Sequence, residues 1–317
     1  MTLRRGMVGC LALFFDFVLG DPPNPLHPVA WMGSLIAAAK RRAPARGRLA
    51  RFAYGAALDI GGASAMAGVG YLLERLIAHL PSPLDAAAEA GVLKLVFTLR
   101  GLGDAAEEVQ AALDADDLPE ARRLVSWHLV SRDTTTLSAS KVAAATVESV
   151  AENTSDGVVA PLFYYHLGGL PAAFAYRFLN TADSMLGYHD PVHEWLGKAP
   201  ARLDDLVNLV PARLSALFIA LASPLSGTDG QRAWRIWQRD KGVTSSPNAG
   251  HPMSAMAGAL DVELEKIGHY RLGAGQKAPQ AEDIGKSVRL TRFAVALGAG
   301  VALGLPLLVH LSRRRDA

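Results

Sequence analysis

The 317-residue chain has a single cysteine, Cys10, so no disulfide can form within it and an oxidising compartment has nothing to act on. A surplus of one charge is also missing: 32 Lys+Arg stand against 30 Asp+Glu, a formal net charge of +2. A phosphate-backbone footprint needs a strong basic excess, so nucleic acid is excluded as a partner. Charged residues of either sign are scarce, at 20% of the chain against roughly 25% in soluble domains. With hydrophobic residues at 50%, an intrinsically disordered chain is excluded too. No G-x-x-x-x-G-K-[ST] sequence occurs, so any nucleotide site is not a P-loop. Strand-like alternation of useful length is lacking, which leaves an all-α reading.

What is present points to a lipid bilayer. Mean hydropathy is +0.18, and the apolar residues gather in six stretches, at about 7–20, 52–73, 87–99, 157–179, 206–223 and 293–311. The last has 19 residues without a formal charge, and at 1.5 Å per residue a helix of that length covers roughly the 30 Å hydrocarbon core. The first lacks a small-residue cleavage site and contains Asp16, so it reads as a retained membrane segment, not a signal peptide. Several stretches are imperfect: Asp59 interrupts the second, Pro161, Gly168, Gly169 and Pro171 the fourth, Pro211 and Arg213 the fifth. Polar groups at membrane depth face a protein interior or a wet cavity, and broken helices need partners for the freed backbone. Gly300 with Gly304, and Ala63 with Ala67 and Gly70, are spaced for close helix approach in lipid. The basic run Lys40–Arg51 and the pair Arg4 and Arg5 both read as cytoplasmic. The stretch between them is short for two crossings and suits a re-entrant or interfacial hairpin. The expected architecture is a polytopic helical membrane protein, a single domain over 1–317. Polar segments at about 103–156 and 224–291 form its cytoplasmic face, with helices around 229–240 and 252–267.

Five polar clusters can carry chemistry. In Gly20-Asp21-Pro22-Pro23-Asn24-Pro25-Leu26-His27-Pro28 the prolines forbid a regular helix, and the turn presents Asp21, Asn24 and His27, or serves as a stiff connector. Arg132-Asp133-Thr134-Thr135-Thr136 precedes a helix from about 137 to 153. Asp133 or a threonine would cap that helix, or its N-terminus would take a phosphate with Arg132 as clamp. Along the helix, Lys141, Glu148 and Glu152 fall within about 40° of one another, followed by Asn153, Thr154, Ser155, Asp156 and Gly157. Such a carboxylate row suits Mg²⁺, a hard cation that keeps water and phosphate oxygens, or it is a solvated face. In Tyr176–Met185, Arg177, Asn180, Thr181 and Ser184 form one stripe with Asp183 at its edge, a binding surface or polar glue between helices. Asn248 sits in a loop before the small-residue helix SAMAGAL. His189 and His193 are four apart, but Pro191 between them removes the helical meaning of the spacing.

The blocks GDPPNPLHPVAWMG, RDTTTL, ENTSDGVVAPLFYY, AYRFLNTADSMLGY and SPNAGHPMSAMAGAL, in this order over residues 16 to about 275, resemble the signature blocks of the CobD/CbiB family. His251 departs from the aromatic residue common after the glycine there. The resemblance implies an inner-membrane, multi-pass adenosylcobinamide-phosphate synthase, an ATP-dependent acid–amine ligase. Its reaction joins an aminopropanol phosphate, or related amino alcohol, to a propionate of adenosylcobyric acid, with ATP as co-substrate and Mg²⁺ as cofactor. A carboxylate is a poor acyl donor, so ATP would activate it as an acyl phosphate. On chemical grounds, Glu152, Asp156 and Asp183 are the metal ligands expected. Lys141 and Arg132 steady phosphates, with Asp21 and His27 near the amine or carboxylate and His27 as general base. Asn24, Asn153, Thr154, Ser155, Arg177, Asn180 and Asn248 are the expected substrate contacts. Partners are the corrinoid and amino-alcohol phosphate, the bilayer, and a second copy or other late cobalamin-pathway enzymes. The competing readings are a non-catalytic AmpE-like membrane sensor and a corrinoid transporter.

Overall fold

A computed structural model describes residues 3–188, 190 and 193–315, of which 305, 306 and 309–315 are described by their backbone alone. His189 lies outside the described residues. The architecture is all-α: helices α1 (Leu3–Leu19), α2 (Pro28–Arg41), α3 (Arg48–Ile77), α4 (Leu84–Lys94), α5 (Arg100–Asp114), α6 (Leu118–His128) and α7 (Ala139–Asn153) come first. A π-helical turn, Thr154–Val159, then leads into α8 (Ala160–Leu186), α9 (Lys198–Val207), α10 (Leu209–Ala222), α11 (Gly230–Asp240), α12 (Gly250–Leu260) and α13 (Ala281–Arg315). The expectation of no strand is corrected by a small antiparallel hairpin, β1 (Leu264–Lys266) and β2 (Tyr270–Leu272), pairing Glu265 with Arg271. It lies where a continued helix was expected to 267. Helix α12 ends at Leu260, followed by Asp261 in the left-handed region (φ 62°), a conformation that stops a helix.

Four helical stretches are long and apolar enough to cross a membrane: Arg48–Ile77, Ala139–Leu186, Leu209–Ser226 and Ala281–Gly304. Two expected segments are not among them. Helix α1 has 17 residues, and the stretch at 87–99 yields only the 11-residue α4. The reason for the second is charge. Asp85 and Glu89 pair with Arg4 of α1, and Lys94 donates to Asp21 at 2.7 Å, so α4 is held by ion pairs at sites a lipid-facing helix could not carry.

The chain divides into two compact units, each built from separate segments. The first comprises Met1–Thr98, Ala160–Asn208 and Val301–Ala317; the second comprises Leu99–Val159 and Leu209–Gly300. Both expected polar segments belong to the second unit.

In the first unit the usual inside–outside rule is inverted. Helix α3 buries Gly55, Asp59, Ala63 and Gly70 and exposes Phe52, Ile60, Val69, Leu72 and Leu76. Lipid is as apolar as leucine, so small residues that admit close backbones take the interior. A Cβ on Gly70 would meet the Leu170 carbonyl and the Pro171 nitrogen at 2.7 Å, and one on Gly55 would lie 1.9 Å from the Leu196 oxygen. Gly300 and Gly304 do not act this way, since a Cβ there would meet nothing within 4 Å among the described residues. Helix α8 is kinked at Gly169 (φ 72°, ψ −159°), two residues before Pro171. The freed backbone groups are satisfied from other helices, as a break in lipid requires. Glu74 accepts from the Leu170 N–H at 2.8 Å, and Arg5 donates to the carbonyls of His166 and Leu167 at 3.2 and 3.0 Å.

The second unit has a continuous core dominated by alanine and valine from α5, α6, α7, α10, α11, α12 and α13. Two of its helix starts are set by an aspartate cap. Asp117 caps α6 by accepting from the Glu120 N–H at 3.0 Å with Pro119 in the first turn, and Asp229 caps α11 through the Arg232 N–H at 2.9 Å.

Candidate functional site

The site in the second unit is built on α7. Its sequence, ASKVAAATVESVAEN, has no glycine or proline, and Ser138 caps it through the Lys141 N–H at 3.4 Å. That corrects the expectation of Asp133 or a threonine as cap. Asp133 instead closes the preceding turn, accepting from the Thr135 N–H and hydroxyl at 2.9 and 2.7 Å, and these bonds hold its carboxyl below the usual range. The whole middle of α7, Val142 to Ala151, is buried. Glu148 is therefore not on a solvated face: it is 5% exposed, and Arg132 donates Nη2 to its Oε2 at 3.1 Å. The other halves of this pair, Arg132 Nε and Glu148 Oε1, are buried with no hydrogen-bond partner among the described residues.

The hairpin closes over the same row. Lys141 forms an ion pair with Glu265, and Arg271 donates to Glu265 at 2.8 Å. The bonds from Lys141 and Arg271 hold the Glu265 carboxyl far below its ordinary range. Tyr270 is pushed well above the ordinary phenol range, by burial first and then by the charges of Glu148 and Glu152. Arg132, Lys141, Glu148, Glu152 and Tyr270 thus form one neighbourhood. Lys141 reaches it already tied to a carboxylate, with two further N–H donors left to its ammonium group.

Helix α7 runs directly into the π turn carrying Thr154, Ser155, Asp156 and Gly157, a helical irregularity frequent at functional sites. Glu148, Glu152 and Asp156 follow at four-residue intervals, which keeps them along one side. Thr154 is fully buried and bonds Val150 O at 2.7 Å and the Thr291 hydroxyl at 2.9 Å, so its hydroxyl is occupied by packing. Ser155 is buried with no partner for its hydroxyl among the described residues. Asn153 donates back to Ser149 O at 3.0 Å. Asn248, 5% exposed, sits in a turn where the Ser246 hydroxyl accepts from the Asn248 and Ala249 N–H groups at 3.2 and 3.3 Å.

The remaining expected residues belong to the first unit. The proline-rich segment forms one 3₁₀ turn, Asn24–Leu26, after which His27 caps α2, its Nδ1 accepting from the Val29 N–H at 3.2 Å. The proton of the neutral ring then sits on Nε2, which faces Asp21 at 3.7 Å. Burial works against the Asp21 charge, but hydrogen bonds from His27, Lys94 and Thr98 outweigh it and hold the carboxyl well below its usual range. Asn24 is exposed. In α8, Thr181 and Ser184 bond the carbonyls one turn back. Asn180 accepts from Arg177 and donates to Asp204, both at 3.3 Å. The Asp183 carboxylate lies over Gly187, where a Cβ would meet Oδ1 at 2.1 Å. Among the described residues no group of three or more His, Cys, Asp or Glu is arranged to hold a metal ion.

Sequence reasoning missed Tyr270, Glu265 and Lys94. The first two sit on strands of three residues, too short for a period to register. Lys94 is 73 positions from Asp21, and nothing local connects them.

The geometry can be set beside known proteins. The family model for the CobD/Cbib protein matches residues 9–297. The chain belongs to the CobD/CbiB family. It is 42% identical to the cobalamin biosynthesis protein CobD of Dehalococcoides mccartyi, over 94% of this chain and 96% of that one. It is 38% identical to the CobD of Klebsiella pneumoniae, over 96% and 98%, and 36% identical to the cobalamin biosynthesis protein CbiB of Salmonella typhimurium, over 93% and 95%. No solved structure matches it. The family match spans α7, the π turn and the hairpin, so this neighbourhood is part of the CobD/CbiB core and not an appendage to it.

Proposed function

We propose that this CobD/CbiB protein is a membrane-embedded, ATP-dependent ligase of cobalamin biosynthesis. It joins an aminopropanol phosphate, or a related amino alcohol, to the propionate of adenosylcobyric acid, giving adenosylcobinamide phosphate. The observation that carries the reading is the half-used pair between α7 and the segment before it: Arg132 Nε and Glu148 Oε1, both buried and with no hydrogen-bond partner among the described residues beside the Arg132–Glu148 bond. A guanidinium with an unused donor next to a row of carboxylates suits an anion that arrives together with a cation.

Arg132 binds and orients the phosphates of ATP through its open edge, while Glu148 holds the guanidinium plane in place. Glu152 and Asp156 would hold Mg²⁺. Two carboxylates completed by phosphate oxygens are a usual Mg²⁺ arrangement, so the donor set fits without an all-protein cage. When bound, the ion neutralises charge on the phosphates during transfer to the corrinoid carboxylate. Lys141 steadies the same phosphates and keeps the hairpin closed through Glu265, which limits water at the acyl group. Asn153, Ser155 and Asn248 supply orienting amide and hydroxyl groups. Asp21, ordered by His27 and Lys94, is the candidate partner of the substrate amine, with Asn24, Arg177 and Asn180 as further polar contacts.

The test uses the full-length protein in detergent with ATP, Mg²⁺, adenosylcobyric acid and aminopropanol phosphate, followed by mass spectrometry and nucleotide analysis. The condensed corrinoid with ADP is expected, and Asp156→Asn abolishes it. AMP as product overturns the acyl-phosphate route, and no condensation by the intact protein overturns the ligase assignment.

A further inference from the structure

One surface of the first unit plays no part in the ligase chemistry. The end of α2, the start of α3 and the loop between them carry Lys40, Arg41, Arg42, Arg46, Arg48 and Arg51, and no acidic residue occurs between Asp21 and Asp59. Arg41, Arg42, Arg46 and Arg48 are exposed. The side chains of Lys40, Arg41, Arg42 and Arg46 form no ion pair among the described residues. The loop is nonetheless held in shape. Tyr54 of α3 donates to Ala39 O at 2.9 Å, the Arg42 N–H donates to the same carbonyl at 2.9 Å, and Arg51 donates to Pro44 O at 3.4 Å. Backbone carbonyls are the acceptors in all three bonds, which fix the loop without neutralising a charge.

This segment stands at the end of a membrane-length helix. Helix α3 begins at Arg48, and Leu49, 79% exposed, and Phe52 present apolar surface directly after it. Trp195 lies beside this start, its ring 5.6 Å from the Arg48 guanidinium and 4.5 Å from the Lys198 ammonium. Tryptophan gathers at the headgroup level of a bilayer, where its ring is half apolar and half wet. Helix α2 has 14 residues, too few to cross. It buries Met32 and Ile36 and exposes Trp31 and Leu35, one turn apart, the pattern of a helix lying in the interface with its outer face in the acyl boundary. A topology signal needs basic residues but no fixed shape, and a soluble phosphate needs no apolar border. A lipid headgroup needs both, cations held together and apolar surface next to them.

We propose that the α2–α3 segment is a binding site for an anionic phospholipid. Arg41, Arg42 and Arg46 take its phosphodiester, and its acyl chains lie along the exposed apolar residues of α2 and α3. A guanidinium pairs with phosphate through two parallel N–H bonds, and a cluster of basic residues next to a membrane helix attracts anionic headgroups. A zwitterionic lipid brings its own cation and leaves the surplus positive charge unmatched. The site lies wholly within the first unit, uses none of the residues assigned to the reaction, and is independent of the ligase reading.

The experiment titrates the full-length protein, in a neutral detergent, with phosphatidylglycerol or phosphatidylcholine of identical acyl chains and counts bound lipid by native mass spectrometry. Phosphatidylglycerol is expected to bind about tenfold or more tightly than phosphatidylcholine, a preference that shrinks as salt is raised. The combined variant Arg41→Gln, Arg42→Gln, Arg46→Gln loses the preference. Its unfolding midpoint in phosphatidylcholine nanodiscs matches that of the wild type, because the three side chains are exposed and unpaired. Equal affinity of the wild type for the two lipids overturns the proposal and returns the patch to solvent or to a soluble acidic partner. A full preference retained by the variant overturns the location. Displacement of phosphatidylglycerol by equimolar ATP or inorganic phosphate overturns the lipid as the source of the phosphate. Should the combined variant not fold, Arg46→Gln alone is read with the wild-type titration, and a several-fold loss of preference is expected. None of these readings measures ligation, so failure here is distinct from failure of the proposed reaction.

Discussion

Protonation of His251 is expected to destabilise the second unit in a defined pH window. The ring is 7% exposed, and its Nδ1 accepts from the Trp237 indole N–H at 3.0 Å, a bond only a ring unprotonated at Nδ1 can accept. Burial, and then the charges of Arg213 and Lys241, lower its pKa from an ordinary 6.5 to about 4. The sign follows from which state binds the proton first. As pH falls below 6.5 the unfolded chain is protonated at this residue while the folded chain is not, so stability is complete above that value and declines until about 4. A gap of about 2.5 pH units at about 1.36 kcal/mol each caps the loss at roughly 3.4 kcal/mol, and solvent screening on the exposed Arg213 side reduces it to roughly 1.5–2 kcal/mol. Substitution His251→Gln keeps an acceptor for Trp237 and removes the titration. Thermal unfolding followed by tryptophan fluorescence, at steps from pH 7.5 to 4, should show the wild type losing about 3–8 °C relative to the variant across that window. Parallel pH profiles for the two proteins would refute the reasoning.

Two further outcomes follow from single contacts. In α3, Gly70→Ala drives a Cβ into the Leu170–Pro171 backbone at 2.7 Å, whereas Gly68→Ala meets nothing within 4 Å. The first should cost about 1–3 kcal/mol and the second stabilise the helix by up to about 1 kcal/mol, a contrast that thermal unfolding of both variants reads directly. At the proposed phosphate clamp, Arg132→Lys keeps the charge but loses the planar fork. The KM for ATP should rise about tenfold with a smaller change in kcat, and an unchanged KM would remove Arg132 from the nucleotide site.

Much of the helical plan was legible because it rests on local chemistry. The hydropathy of 52–73, 157–179 and 206–223 anticipates the long apolar helices. The polar breaks in those helices also carried a correct implication, that freed backbone groups in α8 would need partners. Their identity, Glu74 for one side of the kink and Arg5 for the other, was not readable, since both partners come from distant segments. The candidate site divides the same way. The row Lys141, Glu148, Glu152 is visible from helical spacing alone. That Glu148 is buried, that Lys141 is already paired, and that Tyr270 stands against the row depend on a hairpin more than 100 positions away.

Composition and periodicity alone determined that this is an all-α protein with membrane-length helices, and its ordered motif blocks marked the family, because residue type and spacing act through neighbours a few positions apart. Only the tertiary structure decided which charges are buried, which are matched and which are left over. The pairing of Asp21 with Lys94, the open edge of Arg132 and the burial of Asp59 all arise from helices packed together across long sequence separations, where burial sets the energy of a charge and no local pattern encodes it.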